Sequence, residues 1–181
     1  TEGKGAACSV SDIARQAGIG KGSIYYYFES KEDILDALVD RNYSSIIELC
    51  REKVEQSGLP AIPKMGLLFQ TYYSFSIENH LDRYLHDPQN AYIHQKSLAK
   101  ILTHLSPILA DIIIQGIQES TFCCAYPQEL AELILSEFCF VLDPGIFKWG
   151  AEQMKKKKSA LSEFMEKALS APKGSFDFLK T

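Results

Sequence analysis

Apolar residues recur along most of the chain at intervals of three and four positions, with polar residues between them. The first clear stripe consists of Val10, Ile13, Ala14 and Ala17. This spacing is the period of an amphipathic helix, whereas a half-buried strand alternates apolar and polar residues. The chain also lacks the Asn-Gly and Asp-Gly pairs that favour β-hairpins. The pattern therefore predicts an all-α protein.

Capping residues divide this pattern into separate helices. Ser9 and Ser30 each stand three positions before an aspartate, a spacing that resembles the capping box. Pro88, Pro107 and Pro127 stand where a proline starts a helix, because an N–H has no helical partner at that position. The predicted helices cover residues 10–17, 21–28, 31–56, 62–79, 88–104, 107–119, 127–142 and 150–170.

The first two predicted helices have the lengths and spacing of a helix-turn-helix. They are joined by a tight turn at Gly18. Ala14 and Ala17 on the first helix are small, which allows the two helices to cross closely. Ile24 and Phe28 lie one turn apart and supply the apolar face of the second helix.

The other faces of this second helix carry the residues that we expect to be functional. They are Lys21, Gly22, Ser23, Tyr25, Tyr26 and Tyr27. A lysine can contact phosphate or guanine, and hydroxyl groups can reach phosphate oxygens. Three consecutive tyrosines are costly to expose unless a partner such as a DNA groove covers them. The alternative is an ordinary helical hairpin whose tyrosines pack against the rest of the protein.

The run from Ser9 to Leu35, which includes Ala-Gly-Ile-Gly-Lys-Gly-Ser-Ile-Tyr-Tyr-Tyr-Phe-Glu-Ser-Lys, resembles the DNA-binding signature of the tetracycline-repressor (TetR) family. The resemblance places Ser9 and Ser11 near phosphate at the start of the supporting helix. It makes the exposed residues of the second helix the recognition surface, and it gives Lys31 a phosphate contact. Gly20 departs from the Ser or Thr usual in the family, but glycine is nearly as good at a helix N-cap.

The resemblance also implies the organisation of the whole chain. We expect a helix-turn-helix DNA-binding domain over residues 1–42 and a larger effector-binding and dimerisation domain over residues 43–181. Family members have one further helix before the motif, so we expect that first helix to be missing. The implied function is a homodimeric regulator on double-stranded operator DNA, most commonly a repressor released by a small molecule. Activation stays open as an alternative.

The ligand cavity that the family forms in this region would be lined by aromatic and polar residues of the larger domain. The candidates are Phe69, Tyr72, Tyr73, Ser76, Tyr92, Gln115 and Phe138. Such a lining suits an apolar or aromatic effector with one or two hydrogen-bonding groups. Plain core packing is the alternative for each residue. A helical domain that binds a protein partner is the alternative for the function.

Two predicted helices near the C-terminus are apolar over more of their circumference than one core requires. We expect them to meet their symmetry mates in a four-helix bundle. The candidate interface residues are Leu130, Ile134, Phe138, Val141, Leu161, Phe164, Met165 and Ala168.

Charge and composition limit the classes of function and the cellular compartment that fit this sequence. The net charge of −4 gives no global attraction to nucleic acid, so DNA binding depends on the local motif. Five irregularly spaced cysteines indicate free thiols in a reducing, cytoplasmic compartment, and we expect no membrane span. The four histidines have no metal-ligand spacing, and no catalytic constellation is visible. We therefore predict a protein without metal, cofactor or enzymatic activity.

Overall fold

The structure, a computed structural model, describes residues 9–78 and 85–180. These residues form helices, turns and loops, and none of them lies in a strand, which confirms the all-α class. The helices with described bounds are α1 (Val10–Ala17), α2 (Lys21–Tyr27), α3 (Lys31–Gln56), α4 (Ala61–Glu78), α5 (Ala91–Gln118), α6 (Pro127–Ser136) and α7 (Ala151–Ala168). Short helical turns occupy Pro88–Asn90, Glu137–Val141 and Asp177–Lys180.

The chain divides into two compact units, of which the first ends at Asn42 and the second begins at Tyr43. In the first unit α1 packs against α2, and both helices precede the start of α3. Ala14 and Ile24 are 4% and 6% exposed, and Ile13 and Phe28 are half-buried. Ala17 is exposed, so the predicted apolar stripe of α1 is buried only in part.

Helix α5 is the central helix of the second unit and runs without interruption through Pro107. The predicted helix boundary between residues 104 and 107 is therefore wrong. An internal proline removes the N–H that would bond to the carbonyl of Thr103, at a cost of about 3 kcal/mol. Leu105 and Leu109 are fully buried on either side of Pro107. The helix continues because burial of this stretch outweighs the lost backbone hydrogen bond.

The core of the second unit lies between α3, α4, α5, α6 and α7. Its fully buried side chains include Cys50, Met65, Ile113, Leu135 and Phe176. Phe176 belongs to a C-terminal segment for which the sequence predicted no helix. This segment packs on α7 through the turn Asp177–Lys180 and closes one side of the core.

The stretch predicted as one helix over residues 127–142 is α-helical only in its first part. Helix α6 ends at Ser136, and the chain then makes a π-helical turn over Glu137–Val141. After this turn the Trp149 indole N–H donates a 2.8 Å hydrogen bond to the Val141 carbonyl. The π-helical turn thus leads into a loop that is folded back on its own start.

One described segment, Pro88–Gln118, is long and apolar enough by length and composition to cross a membrane. Half of its most apolar window is buried inside the protein. Its apolar character is therefore accounted for by its place in the core, where α5 packs against α4 and α6.

Candidate functional site

Local hydrogen bonds define both ends of α1, the helix that precedes α2. The Asp12 N–H donates to the Ser9 Oγ over 3.2 Å, and the Ser9 N–H donates to the Asp12 carboxylate over 3.1 Å. This is the capping box expected from the sequence. At the other end of α1, Gly18 adopts a left-handed conformation with φ of 68°, which favours glycine because it lacks a Cβ. The Gly18 N–H bonds to the Ala14 and Arg15 carbonyls and ends α1 shortly before α2 begins at Lys21.

Helix α2 presents one buried residue and an exposed polar and aromatic surface. Ile24 is buried, whereas Tyr25, Tyr26 and Tyr27 are 48%, 82% and 76% exposed. The rings of Tyr26 and Tyr27 meet edge to face, with centroids 4.9 Å apart. The Lys21 Nζ lies 5.6 Å from the centre of the Tyr25 ring. Gly22 and Ser23 are exposed on the same short helix, so all six predicted recognition residues are accessible.

The start of α3 is capped in the same way as α1. The Asp33 N–H donates to the Ser30 Oγ over 3.1 Å, and the Asp33 carboxylate accepts the N–H groups of Glu29 and Ser30. Lys31 lies half-buried in the first turn of α3. Of the two serines expected near phosphate, Ser11 is exposed on α1, while the Ser9 hydroxyl takes part in the capping box.

Three of the predicted effector-binding residues meet in the second unit. Phe69 is buried, with its ring centroid 4.6 Å from that of Phe138, and Tyr72 approaches Phe138 edge to face at 6.2 Å. The Tyr72 side chain also hydrogen-bonds the thiol of Cys139. Burial raises the pKa of Cys139 to about 12, although the bond from Tyr72 acts in the opposite direction. The cluster of Phe69, Tyr72 and Phe138 is thus aromatic, with hydroxyl and thiol groups at its edge.

The other predicted effector residues do not join this cluster. Tyr73 and Tyr92 are 58% and 70% exposed, and Lys96 lies over the Tyr92 ring. The Gln115 amide donates to the Leu59 carbonyl and to Glu119. It therefore fastens the end of α5 to the loop before α4. The expectation of one shared wall needs correction for these three residues, because helical spacing alone did not distinguish their faces. The side chain of Ser76 lies outside the described residues.

The predicted dimer interface also needs correction. Ile134, Leu161 and Met165 are 0%, 6% and 0% exposed, so they belong to the core of the protomer rather than to its surface. Periodicity marks the apolar residues of a helix, but it does not separate those that face the protomer's own core from those left on its surface. The half-buried predicted residues are Leu130, Phe138, Val141 and Ala168. The exposed large apolar residues of this region are Leu133, Phe140 and Phe164.

Two histidines and an aspartate from three separate segments converge beside α5. The Nε2 atoms of His86 and His94 lie 3.2 Å and 2.9 Å from the two carboxylate oxygens of Asp143. Burial raises the pKa of Asp143, but hydrogen bonds from His94 and from the Gly145 N–H, with the two nearby imidazoles, lower the pKa below its usual 3.8. Sequence spacing gave no sign of this cluster, because His94 and Asp143 are 49 positions apart.

Comparison with known protein families identifies the family of this chain. Residues 4–38 match the family described as bacterial regulatory proteins, tetR family. Residues 75–164 match the family described as tetracyclin repressor-like, C-terminal domain. The chain belongs to the TetR family. The two matches cover both the helix-turn-helix and most of the second unit, so the resemblance is not confined to the motif.

Individual relatives of this TetR-family chain are also named as regulators or repressors. It is 32% identical over 112 residues to the "Fatty acid metabolism regulator protein" of Bacillus subtilis, covering 60% of this chain and 57% of the relative. It is 28% identical over 126 residues to the "HTH-type transcriptional repressor KstR2" of Mycobacterium tuberculosis, covering 64% of this chain and 60% of the relative. The matches thus span less than two thirds of the length of these relatives.

A solved structure shows that the fold is shared. The chain superposes on a transcriptional regulator from Cytophaga hutchinsonii with a TM-score of 0.61 at 22% identity, covering 97% of this chain and 88% of that one. The shared fold therefore includes residues of both units of the chain.

Proposed function

We propose that this TetR-family protein is a transcription regulator of the bacterial cytoplasm that binds operator DNA through α2. The observation that carries the proposal is the exposure of three consecutive tyrosines on a short helix in which Ile24 is the one buried residue. Monomeric proteins rarely leave contiguous aromatic surface in water unless it has a partner. A regulator also requires no catalytic groups, which agrees with membership of a family of regulatory proteins.

The chemistry of α2 suits the major groove of DNA. Tyrosine and serine hydroxyls can bond to phosphate oxygens, and ring edges can contact thymine methyl groups. Lys21 supplies the positive charge that the chain as a whole lacks. Gly22 has no neighbouring atom within 4 Å of an added Cβ, so its bare backbone leaves room for the close approach of a strand.

A symmetric dimer would place two such helices on DNA. We propose that Leu133, Phe140 and Phe164 form part of the dimer interface, because they are the large apolar residues that α6, the π-helical turn and α7 leave exposed. One short recognition helix binds weakly by itself, whereas two related by symmetry read both halves of an operator. The proposed operator is therefore pseudo-palindromic.

The effector proposal is that an apolar or aromatic molecule binds at the cluster of Phe69, Tyr72 and Phe138 and releases the repressor. Aromatic rings supply the apolar contact, and the Tyr72 hydroxyl supplies a hydrogen bond. The name of the Bacillus subtilis relative, which refers to fatty acid metabolism, supports an apolar effector. A ligand that binds better to one conformation shifts the population towards it, which is how release would follow.

A protein partner is the second candidate for the effector. It is favoured by the close packing of Phe69 against Phe138 and by the exposure of Tyr126, which is 71% exposed. A small molecule that raises the melting temperature of the purified chain in a thermal-shift screen would favour the small-molecule effector over the protein partner.

The DNA proposal is tested with Tyr26→Ala and Lys21→Ala on an operator selected from random DNA. Each variant should weaken specific binding by about 1–3 kcal/mol, or roughly 5–150-fold, if its side chain contacts a base. If Lys21 instead contacts phosphate, its loss should reduce the slope of the logarithm of the binding constant against the logarithm of the salt concentration by about 1. Fluorescence anisotropy at several salt concentrations measures both effects.

The matched control is Tyr73→Ala, which removes another exposed tyrosine from α4 and should leave operator affinity unchanged. Wild-type affinity and salt dependence in both α2 variants would show that α2 is not the DNA-reading helix.

A further inference from the structure

The cluster of His86, His94 and Asp143 has the composition of a metal site. Its two ring nitrogens and one carboxylate oxygen lie within 4.8 Å of one another. The ligands come from the turn before α5, the first turns of α5 and the loop after the π-helical turn. We propose that these three residues bind a divalent transition-metal ion.

The separations between the ligand atoms fit such an ion. Metal–nitrogen and metal–oxygen bonds of about 2.1 Å place neighbouring ligand atoms about 3.0 Å apart in octahedral geometry and about 3.4 Å apart in tetrahedral geometry. The His86 Nε2 lies 3.2 Å from the Asp143 Oδ1, and the His94 Nε2 lies 2.9 Å from the Asp143 Oδ2. The nitrogen–oxygen separations already match this spacing, and an ion bound by all three residues would draw together ligand atoms that now lie within 4.8 Å of one another.

The surrounding backbone holds two of the ligands in place. The Asp143 Oδ1 accepts the N–H groups of Gly145 over 2.6 Å and of Ile146 over 3.3 Å. A Cβ at Gly145 would lie 2.0 Å from the Cδ2 of His86, so the imidazole occupies space that only glycine leaves. Metal ligands are commonly oriented in this way by hydrogen bonds and packing outside the coordination sphere.

The donor set indicates the class of metal. Imidazole nitrogens favour zinc, iron, cobalt and nickel, whereas calcium and magnesium favour sites made of oxygen alone. The side chains of His94 and Asp143 are 11% and 9% exposed, while that of His86 is 22% exposed. Three protein ligands leave positions for water or another ligand, and the side of His86 is the more accessible one.

The alternative is a histidine–aspartate–histidine cluster that only stabilises the fold. Titration of the metal-free protein with Co²⁺, followed by visible absorption and calorimetry, separates the two. The wild type should bind one Co²⁺ per chain, with ligand-field bands and without the charge-transfer band of a thiolate. His86→Ala and His94→Gln should each weaken binding more than about 100-fold, and Gly145→Ala by about 10–100-fold.

His104→Ala is the matched control, because His104 is an exposed histidine of α5 outside the cluster. It should bind Co²⁺ as the wild type does. Circular dichroism checks that each variant is folded. If His94→Gln does not fold, His86→Ala provides the test, because the His86 side chain is more exposed. The proposal is overturned by a wild type that does not bind Co²⁺, by unchanged affinity in His86→Ala, or by a thiolate band.

Discussion

Neighbouring residues on α6 offer a direct test of which face is core and which is interface. Ile134 is fully buried, whereas Leu133 is 58% exposed. Truncation of a fully buried isoleucine to alanine costs about 2–5 kcal/mol, because it removes apolar contacts and leaves a cavity. Less than half of the Leu133 side chain is covered in the protomer, so Leu133→Ala should cost only about 1 kcal/mol of protomer stability.

Association should respond in the opposite order. If Leu133 lies in the dimer interface, Leu133→Ala should raise the dissociation constant of the dimer by at least about tenfold, which corresponds to about 1.4 kcal/mol. Ile134→Ala should alter association less than it alters folding. Sedimentation velocity over a range of concentrations measures association, and urea unfolding followed by circular dichroism measures stability.

The reasoning fails if the two variants behave alike. Equal losses of protomer stability would show that Leu133 is part of the core. An unchanged dissociation constant in Leu133→Ala would remove α6 from the interface. A wild type that is monomeric at micromolar concentration would refute the dimer itself. Comparison of unfolding at two protein concentrations separates these cases, because only a dimer has a midpoint that depends on concentration.

Two further predictions concern the second unit. Gly116→Ala should destabilise the protein by about 1–3 kcal/mol in urea unfolding, because the added Cβ would lie 2.0 Å from the buried Phe122 ring; wild-type stability would show that this ring moves aside. Tyr72→Ala should weaken the response of operator binding to an apolar effector while leaving effector-free affinity unchanged, because Tyr72 borders Phe138 in the second unit, whereas α2 belongs to the first. An unaltered response in a DNA-binding titration would remove Tyr72 from the effector site.

The elements that the sequence predicted well are those that local interactions determine. The bounds of α1 and α3 agree with the prediction, because a Ser–Asp capping box starts each helix. The outward surface of α2 was also predictable, since its single buried residue, Ile24, stands among polar and aromatic neighbours. At such helix starts, the local capping signals indicate nearly the same structure as the final fold.

The features that the sequence missed depend on packing between distant segments. Pro107 carries the local signal of a helix start, and only the burial of the residues around it keeps α5 continuous. Leu161 and Phe164 both lie on the apolar stripe of α7, yet one is 6% and the other 42% exposed. Their difference depends on where neighbouring helices lie, which periodicity does not specify. The approach of His86 and His94 to Asp143 is likewise a product of tertiary structure.

Because Glu137–Val141 forms a π-helical turn, the number of residues in this segment determines where the side chains within and after it lie. A π turn holds one residue more than an α turn and is equivalent to a helix with a single-residue insertion. Since each residue rotates an α-helix by about 100°, a variant with one residue fewer here would turn the following positions by a quarter of a circle or more. Phe140, inside the turn, would change sides, and Asp143, two residues after the turn, would be displaced from its position opposite His94. In this part of the chain a one-residue deletion would therefore alter binding properties more than most substitutions.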